Sequence, residues 1–270
     1  NDTLTITATN ITSDIIYANG DVDISSDNLT NSGVINSGDN LSIESGAIDN
    51  QGQLIANDTL TISATDITSD VIYAKGDIDI SSDNLTNSGV INSDVNLSIT
   101  SGTIDNRGQL IANNALTILA TDITSDVIYA KGDLDISSDN LTNSGVINSD
   151  GNLSITSDVI GNQGQLIANN ALTISATEIT SDVIYAKGDV DISSDNLTNS
   201  GVINSGDNLS IESGAIDNQG QLIANDTLTI TATNITSDII YANGDVDISS
   251  DNLTNSGVIN SGDNLSIESG

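Results

Sequence analysis

The chain contains no cysteine, proline, methionine, phenylalanine, tryptophan or histidine, and only four of its 270 residues are basic. Without cysteine there is no disulfide and no thiolate metal site, and cysteine usage marks no redox compartment. Thirty-eight acids face Lys75, Arg107, Lys131 and Lys187, for a net charge of -34. Such a body repels nucleic acid and anionic membrane surfaces, stays soluble and gathers counter-ions. No stretch approaches the roughly 18 consecutive apolar residues of a membrane span, so membrane insertion is not expected. The chain does not begin with methionine and shows no signal-peptide pattern. Enzymes on repetitive β scaffolds need long loops that bring acids and bases together in a groove. With no histidine and one arginine, and no loop insertion in any repeat, no catalytic residues are expected.

What is present is repetition. The stretch from Asn28 to Asp83 restarts at Asn84, Asn140, Asn196 and Asn252, which sets a 56-residue period. Each unit divides again, because an -xLxI- pair opens at Val22, Leu41, Leu60, Ile78, Leu97 and Leu116, two equal steps followed by one that is a residue shorter. About fourteen such copies run through the chain. A short regular period means stacked equivalent coils, none able to bury its apolar side alone.

Within a coil the apolar positions keep fixed offsets. Leu41, Ile43, Ile48, Leu54 and Ala56 form one set, and Val22, Ile24, Leu29, Ile35 and Ser37 the set before it. Leu60, Ile62, Ile67, Ile72 and Ala74 form the third, one residue shorter between Ile67 and Ile72. Pairs such as Leu41/Ile43 and Leu54/Ala56 have the period of two that marks a half-buried strand. The longer gaps carry Gly, Asn, Asp and Ser, which turn corners. No stretch sustains helical spacing. Copies one period apart support this assignment. Ser63 becomes Leu119, Glu44 becomes Thr100 and Ala47 becomes Thr103, all outside the inward set, whereas Val22, Ile78 and Leu134 exchange only among aliphatics.

The expected fold is therefore all-β, a right-handed parallel β-helix of about fourteen coils with 18–19 residues each, running as one continuous domain over residues 1–270. At the usual strand spacing of about 4.8 Å, it would form a slim rod about 65 Å long. Residues 1–46 recur as 225–270, and neither end carries an atypical capping coil, so the expectation is a slice of a longer filamentous protein.

One further inward position is polar. Asn31, Asn50, Asn87, Asn106, Asn143, Asn162, Asn199, Asn218 and Asn255 occupy it in two coils of three, with Ser69, Ser125, Ser181 and Ser237 in the third. A stacked amide can donate to the coil on one side and accept from the other, so these residues are candidates for a structural ladder that fixes register. The alternative is a solvent-facing turn residue.

Outside, the D-x-D pairs such as Asp21 and Asp23 invite a calcium reading, but their copies lie three coils apart and no EF-hand loop is present. Asp39 and Asp58, stacked at a corner, are the better candidates for a weak metal site that would hold Ca2+ loosely; no other cofactor is expected. Calcium-binding G-G-x-G-x-D repeats are absent. Outward threonines do not recur in every coil, which argues against an ice-binding face. The N-x-[ST] triplets follow from composition. The most distinctive outward feature is apolar. Ile55 and Tyr73 share a column in adjacent coils, and Ile111, Tyr129, Ile167 and Tyr185 repeat the pair once per period. These are either strand formers left exposed or a contact face for lateral self-association, a host surface or glycans.

The segment GDNLSIESGAIDNQGQLIAND, of the form L-x-I-x-x-x-x-I-x-N-x-G-x-L-x-A, resembles the haemagglutinin repeat of filamentous haemagglutinin-type exoproteins. The resemblance covers every coil and is closest in the middle one, at Asn50, Gly52, Leu54 and Ala56. In the third coil Ser69 replaces the asparagine and Val71 stands where the glycine would be. The resemblance implies a right-handed β-helical shaft, an extracellular location, export by two-partner secretion through an outer-membrane partner, and a role in adhesion, biofilm or toxin carriage. The leading expectation is the structural shaft of a secreted filamentous adhesin, a rigid spacer that presents a distal adhesive or toxic tip. The alternatives are a self-associating biofilm-matrix fibre, or a shaft that binds glycans or partners through the Ile/Tyr face.

Overall fold

The computed structural model describes residues 3–270. Among these residues there is no helix, and fifteen parallel strands build a β-solenoid of about fourteen turns. The strands fall into two compact units, one ending at Asp133 and the other running from Leu134 to Gly270. The first holds β1 (Thr3–Ala18) through β7 (Leu116–Ala130), and the second β8 (Leu134–Ser149) through β15 (Leu265–Ser269). In each unit the strands stack in chain order.

Nearly every strand is a whole coil. β2 (Asp21–Ser37), β3 (Leu41–Ala56) and β4 (Leu60–Ala74) each run through two corners, where the pairing skips one or two residues, as at Asp27 and at Ser32–Gly33, and three residues such as Gly38–Asn40 close the turn to the next coil. The stacking puts like on like. Leu41 pairs with Leu60, Ile43 with Ile62, Ile48 with Ile67, Leu54 with Ile72 and Ala56 with Ala74. These side chains are buried while Ser42, Glu44 and Gln53 between them are exposed. The alternation of the pleat sends alternate residues inward, and each buried Leu or Ile contributes about 1.5–3 kcal/mol relative to exposure. Because every coil is too narrow for a core of its own, that burial exists only between neighbours.

The three coils differ at one corner. In β2 and β3 the buried Asn31 and Asn50 are followed by two residues, Ser32–Gly33 and Gln51–Gly52, before the next paired positions Val34 and Gln53. In β4 only Asp70 stands between Ser69 and Val71, and Val71 pairs with Gln53. Val71 is therefore the counterpart of Gln53 rather than of Gly52, which corrects the alignment expected for the third coil. The short corner has one residue, Asp70, where the long corners have two.

That glycine is sterically required. A Cβ on Gly52 would lie 2.0 Å from the carbonyl oxygen of Gly33, and one on Gly33 would lie 1.9 Å from that of Asp14. The longer corner presses its backbone against the preceding coil. No described glycine has positive φ, so the demand is for space and not for a left-handed conformation.

Candidate functional site

Three sets of residues were candidates for more than scaffold: the corner asparagines, the paired aspartates and the Ile/Tyr column. The asparagines lie inside. Asn31 and Asn50 are fully buried, and the Asn31 Nδ2 donates to Asn50 Oδ1 at 2.8 Å, while the Asn50 Nδ2 donates to Ser69 Oγ at 3.0 Å. Each amide also reaches backbone carbonyls, Asn31 those of Gly33 and Gln53, Asn50 those of Gly52 and Val71. The same three-coil run recurs from Asn87 through Asn106 to Ser125, and in the second unit from Asn143 through Asn162 to Ser181 and from Asn199 through Asn218 to Ser237.

All these amides point toward the following coil. The run pauses where the short coil hands over to the next asparagine. There the Oδ1 of Asn31 and Asn199, and the Oγ of Ser13, are buried without a partner; Asn255 Oδ1 is likewise unpartnered. At other copies of that step, Asn87 and Asn143 take a bond from the amide of Gly89 and Gly145 at 3.3 Å.

Two serine columns are also interior. Ser37, in the inward set from the outset, donates to the carbonyls of Gly20 and Asn40 at 2.8 and 2.6 Å and so ties the turn between coils. Ser45, Ser101, Ser157 and Ser213 are buried as well, although they lay outside the expected inward set. Ser45 Oγ bonds the Ala47 carbonyl at 2.9 Å and sits 3.0 Å from Ser26 Oγ. The signal was present in the copies: this serine never changes, while its neighbours Glu44 and Ala47 do. The column floors a shallow polar groove of about 800 Å³ in the first unit, lined by Ser25, Asp27, Glu44, Gly46 and Ser63 among others.

The acids are spread along the corners. Asp39 and Asp58 occupy consecutive turns of one corner, where the Asp58 amide donates to the Asp39 carbonyl at 3.0 Å, and both side chains are exposed. No group of three potential metal ligands forms among the described residues. Asp21 accepts both the backbone amide and the side-chain amide of Asn40, at 3.1 and 3.0 Å, and Asp77, Asp189 and Asp245 repeat this with Asn96, Asn208 and Asn264. These aspartates thus act as acceptors that close corners. Arg107 pairs with Asp105 at 2.7 Å on the surface, where such a contact adds little stability.

The Ile/Tyr column lies on the outer face of the strand that follows the asparagine corner. Asn36, Ile55, Tyr73, Asn92, Ile111 and Tyr129 stack in register in the first unit, and Ile167 with Tyr185 in the second. All are half-buried, packed on their neighbours above and below. The Tyr73 hydroxyl donates to Asp94 Oδ2 at 2.6 Å, and this bond, with a smaller contribution from burial and the negative charge, raises the phenol above its ordinary value. In the second unit a shallow depression of about 330 Å³ opens on the same face between Ile167, Val183, Tyr185 and Val202.

The haemagglutinin repeat matches the chain over residues 1–89, 71–157, 129–184, 183–238 and 239–270. No curated protein and no solved structure matches it. No described helix is long and apolar enough to cross a membrane.

Proposed function

The chain belongs to the haemagglutinin repeat family, and from that premise we propose that it is the structural shaft of a secreted filamentous bacterial adhesin, a spacer that holds an adhesive or toxic tip away from the cell. The observation that carries this reading is uniformity. Every complete coil among the described residues keeps its aliphatic inward positions and the same length to within one residue, and none of them carries a loop that could build a catalytic groove or a lid. Such a body is suited to set a distance. The family supports the extracellular location and export through an outer-membrane partner.

The test is length. Removing one 56-residue unit in phase from the native filament takes out three coils, about 14 Å at ordinary strand spacing. Reach, measured by the separation at which cells still attach, is expected to fall while attachment itself persists, and the 270-residue chain alone is expected to bind host surfaces negligibly. Strong, saturable binding of the isolated chain to a receptor or glycan would overturn the spacer reading.

A further inference from the structure

The corner ladder breaks at one step of the repeat. The first coil is joined to the second, and the second to the third, by a buried amide. Asn31 Nδ2 holds Asn50 Oδ1 and the Gln53 carbonyl, and Asn50 Nδ2 holds Ser69 Oγ and the Val71 carbonyl. From the short coil β4 to β5 (Ile78–Ser93) the ladder stops. Ser69 pairs in register with Asn87, yet Asn87 Oδ1 accepts only from the Gly89 amide of its own coil, at 3.3 Å. At the same step elsewhere, Asn31 opposite Ser13 in the first unit and Asn199 opposite Ser181 in the second keep a buried Oδ1 with no partner. One hydroxyl crosses instead. Ser88 Oγ donates to the Ser69 carbonyl at 3.1 Å, and Ser32 and Ser200 donate to those of Ser13 and Ser181 at 3.2 Å. On the exposed face Tyr73 and Asn84 also reach across, to Asp94 and Asp66, where water can replace them.

The backbone ladder is equally long at the three steps of a repeat, and the same aliphatic columns run through all of them. The corner side chains therefore decide which step yields. Parting two coils joined by an amide breaks buried bonds, and water only makes up for them. Parting at the step after the short coil gives water to a carbonyl that was buried unpaired, and this favours opening.

We propose that the shaft is built of three-coil blocks that yield under tension one block at a time, at the step that follows each short coil. In the first unit β2 through β4 form such a block, and in the second β11 (Val190–Ser205) through β13 (Leu228–Ala242) form another. Each coil touches only its neighbours, so a block can part without disturbing the one beyond it. A parted block has lost its neighbours on both faces and unravels under the load that parted it. A filament made this way holds its length at low load and lengthens by fixed increments at high load, so the tether extends before its attachment breaks. Yielding in blocks is independent of the spacer reading, which attachment at a distance tests separately: a shaft that parted all at once would still set a reach.

The test is to pull the 270-residue chain by its two ends in an optical trap. Length is expected to grow in increments of 56 residues, each about 190 Å of extended chain less the roughly 14 Å that three folded coils occupy. Increments of a single coil, or release of the whole chain in one event, overturn the block. Two variants test the cause. Ser69→Asn with a glycine inserted after Asp70 gives the short coil a long corner, whose amide reaches Asn87 Oδ1 as that of Asn31 reaches Asn50. Opening at that step is expected to slow roughly tenfold, the rate equivalent of one buried bond, and two increments are expected to merge into one of twice the length. Asn50→Ser with Gly52 deleted makes the opposite change and is expected to split one increment into a two-coil part and a one-coil part. Circular dichroism first establishes that each variant keeps its strands. A folded variant of either kind that leaves the increments unchanged overturns the ladder as their cause, and the unaltered chain decides the matter alone if neither folds.

Discussion

In the coil built on β3 the chain turns its corner with Asn50, Gln51 and Gly52, whereas in the coil built on β4 it turns with Ser69 and Asp70 alone. The longer corner crowds the coil before it, so only glycine fits at position 52, and the carbonyl of that glycine is one of the acceptors for the Asn50 amide. The shorter corner needs no glycine, and a serine hydroxyl in place of an amide is enough to receive the bond from Asn50. Length, glycine and amide thus form one set, and loss of one residue changes all three. The short coil also carries the tyrosines and the lysines. The difference teaches that a solenoid can tolerate two coil lengths when the extra residue is confined to one corner and the inward set before and after it stays aligned.

The largest test violates coil length altogether. Deleting Asn84 through Asp139 joins two equivalent junctions and is expected to leave a cooperative unfolding transition, since each coil touches only its neighbours. Deleting only Asn84 through Ser93 throws the inward set out of phase and is expected to abolish that transition. Circular dichroism through a thermal ramp separates the two. Cooperative unfolding of the shorter deletion would show that coil length is not fixed by the corners.

Next in size is Gly52→Val. Its Cβ would meet the Gly33 carbonyl at 2.0 Å, so a loss at the upper end of the roughly 1–3 kcal/mol for overpacking is expected. Asp70→Ala, at the equivalent corner of the short coil, is expected to stay within about 0.5 kcal/mol, as for most exposed sites. Equal shifts in chemical denaturation would erase the distinction between the corners.

The coupling within the set is a finer test. Asn50→Leu takes away the acceptor for Asn31 and the donor to Ser69, and is expected to cost about 1–3 kcal/mol. Asn50→Ser alone and deletion of Gly52 alone should each destabilise. Combined, they convert the long corner to the short type, and the double variant is expected to be more stable than the sum by about 0.5–3 kcal/mol, the usual range for residues in contact. Strict additivity would mean that amide and glycine are independent.

Much of this was legible in the sequence because the fold repeats it. Aliphatic positions such as Leu41, Ile43 and Leu54 announce themselves by spacing, and their copies vary only among similar volumes. The corner was harder. Sliding the motif along the third coil puts Val71 at the glycine position, because a one-residue deletion leaves no mark on where the loss occurred; the ladder pairing of Val71 with Gln53 places it before Val71. Ser45 was missed because serine reads as polar, while its burial depends on a bond to the Ala47 carbonyl that lies in the corner geometry rather than in the hydropathy pattern. The Ile/Tyr column was half visible. Ile55 and Tyr73 stand out by composition, but that Lys75 and Asp70 rim it from opposite sides follows from where the strand begins and ends.

The smallest effect concerns the short coil's outer face. The Tyr73 hydroxyl donates to Asp94 across one coil, whereas the position matching Asp94 beyond Tyr185 is Gly206, so the contact is a local variation on the repeat. The bond requires a protonated phenol and an ionised carboxylate, and it raises the folded-state pKa of Tyr73 above the unfolded value. Its contribution is therefore fully present below pH of about 10, the ordinary tyrosine value, and is lost as pH rises through the raised folded value. With Tyr17, Tyr129, Tyr185 and Tyr241 changed to Phe, absorbance of the phenolate reports Tyr73 alone. Its midpoint is expected above the ordinary value, and Asp94→Asn is expected to bring it back down. A midpoint that ignores Asp94→Asn would mean that the short coil's tyrosine does not reach across to its neighbour in solution, leaving the two kinds of coil to differ at their corners and not on this face.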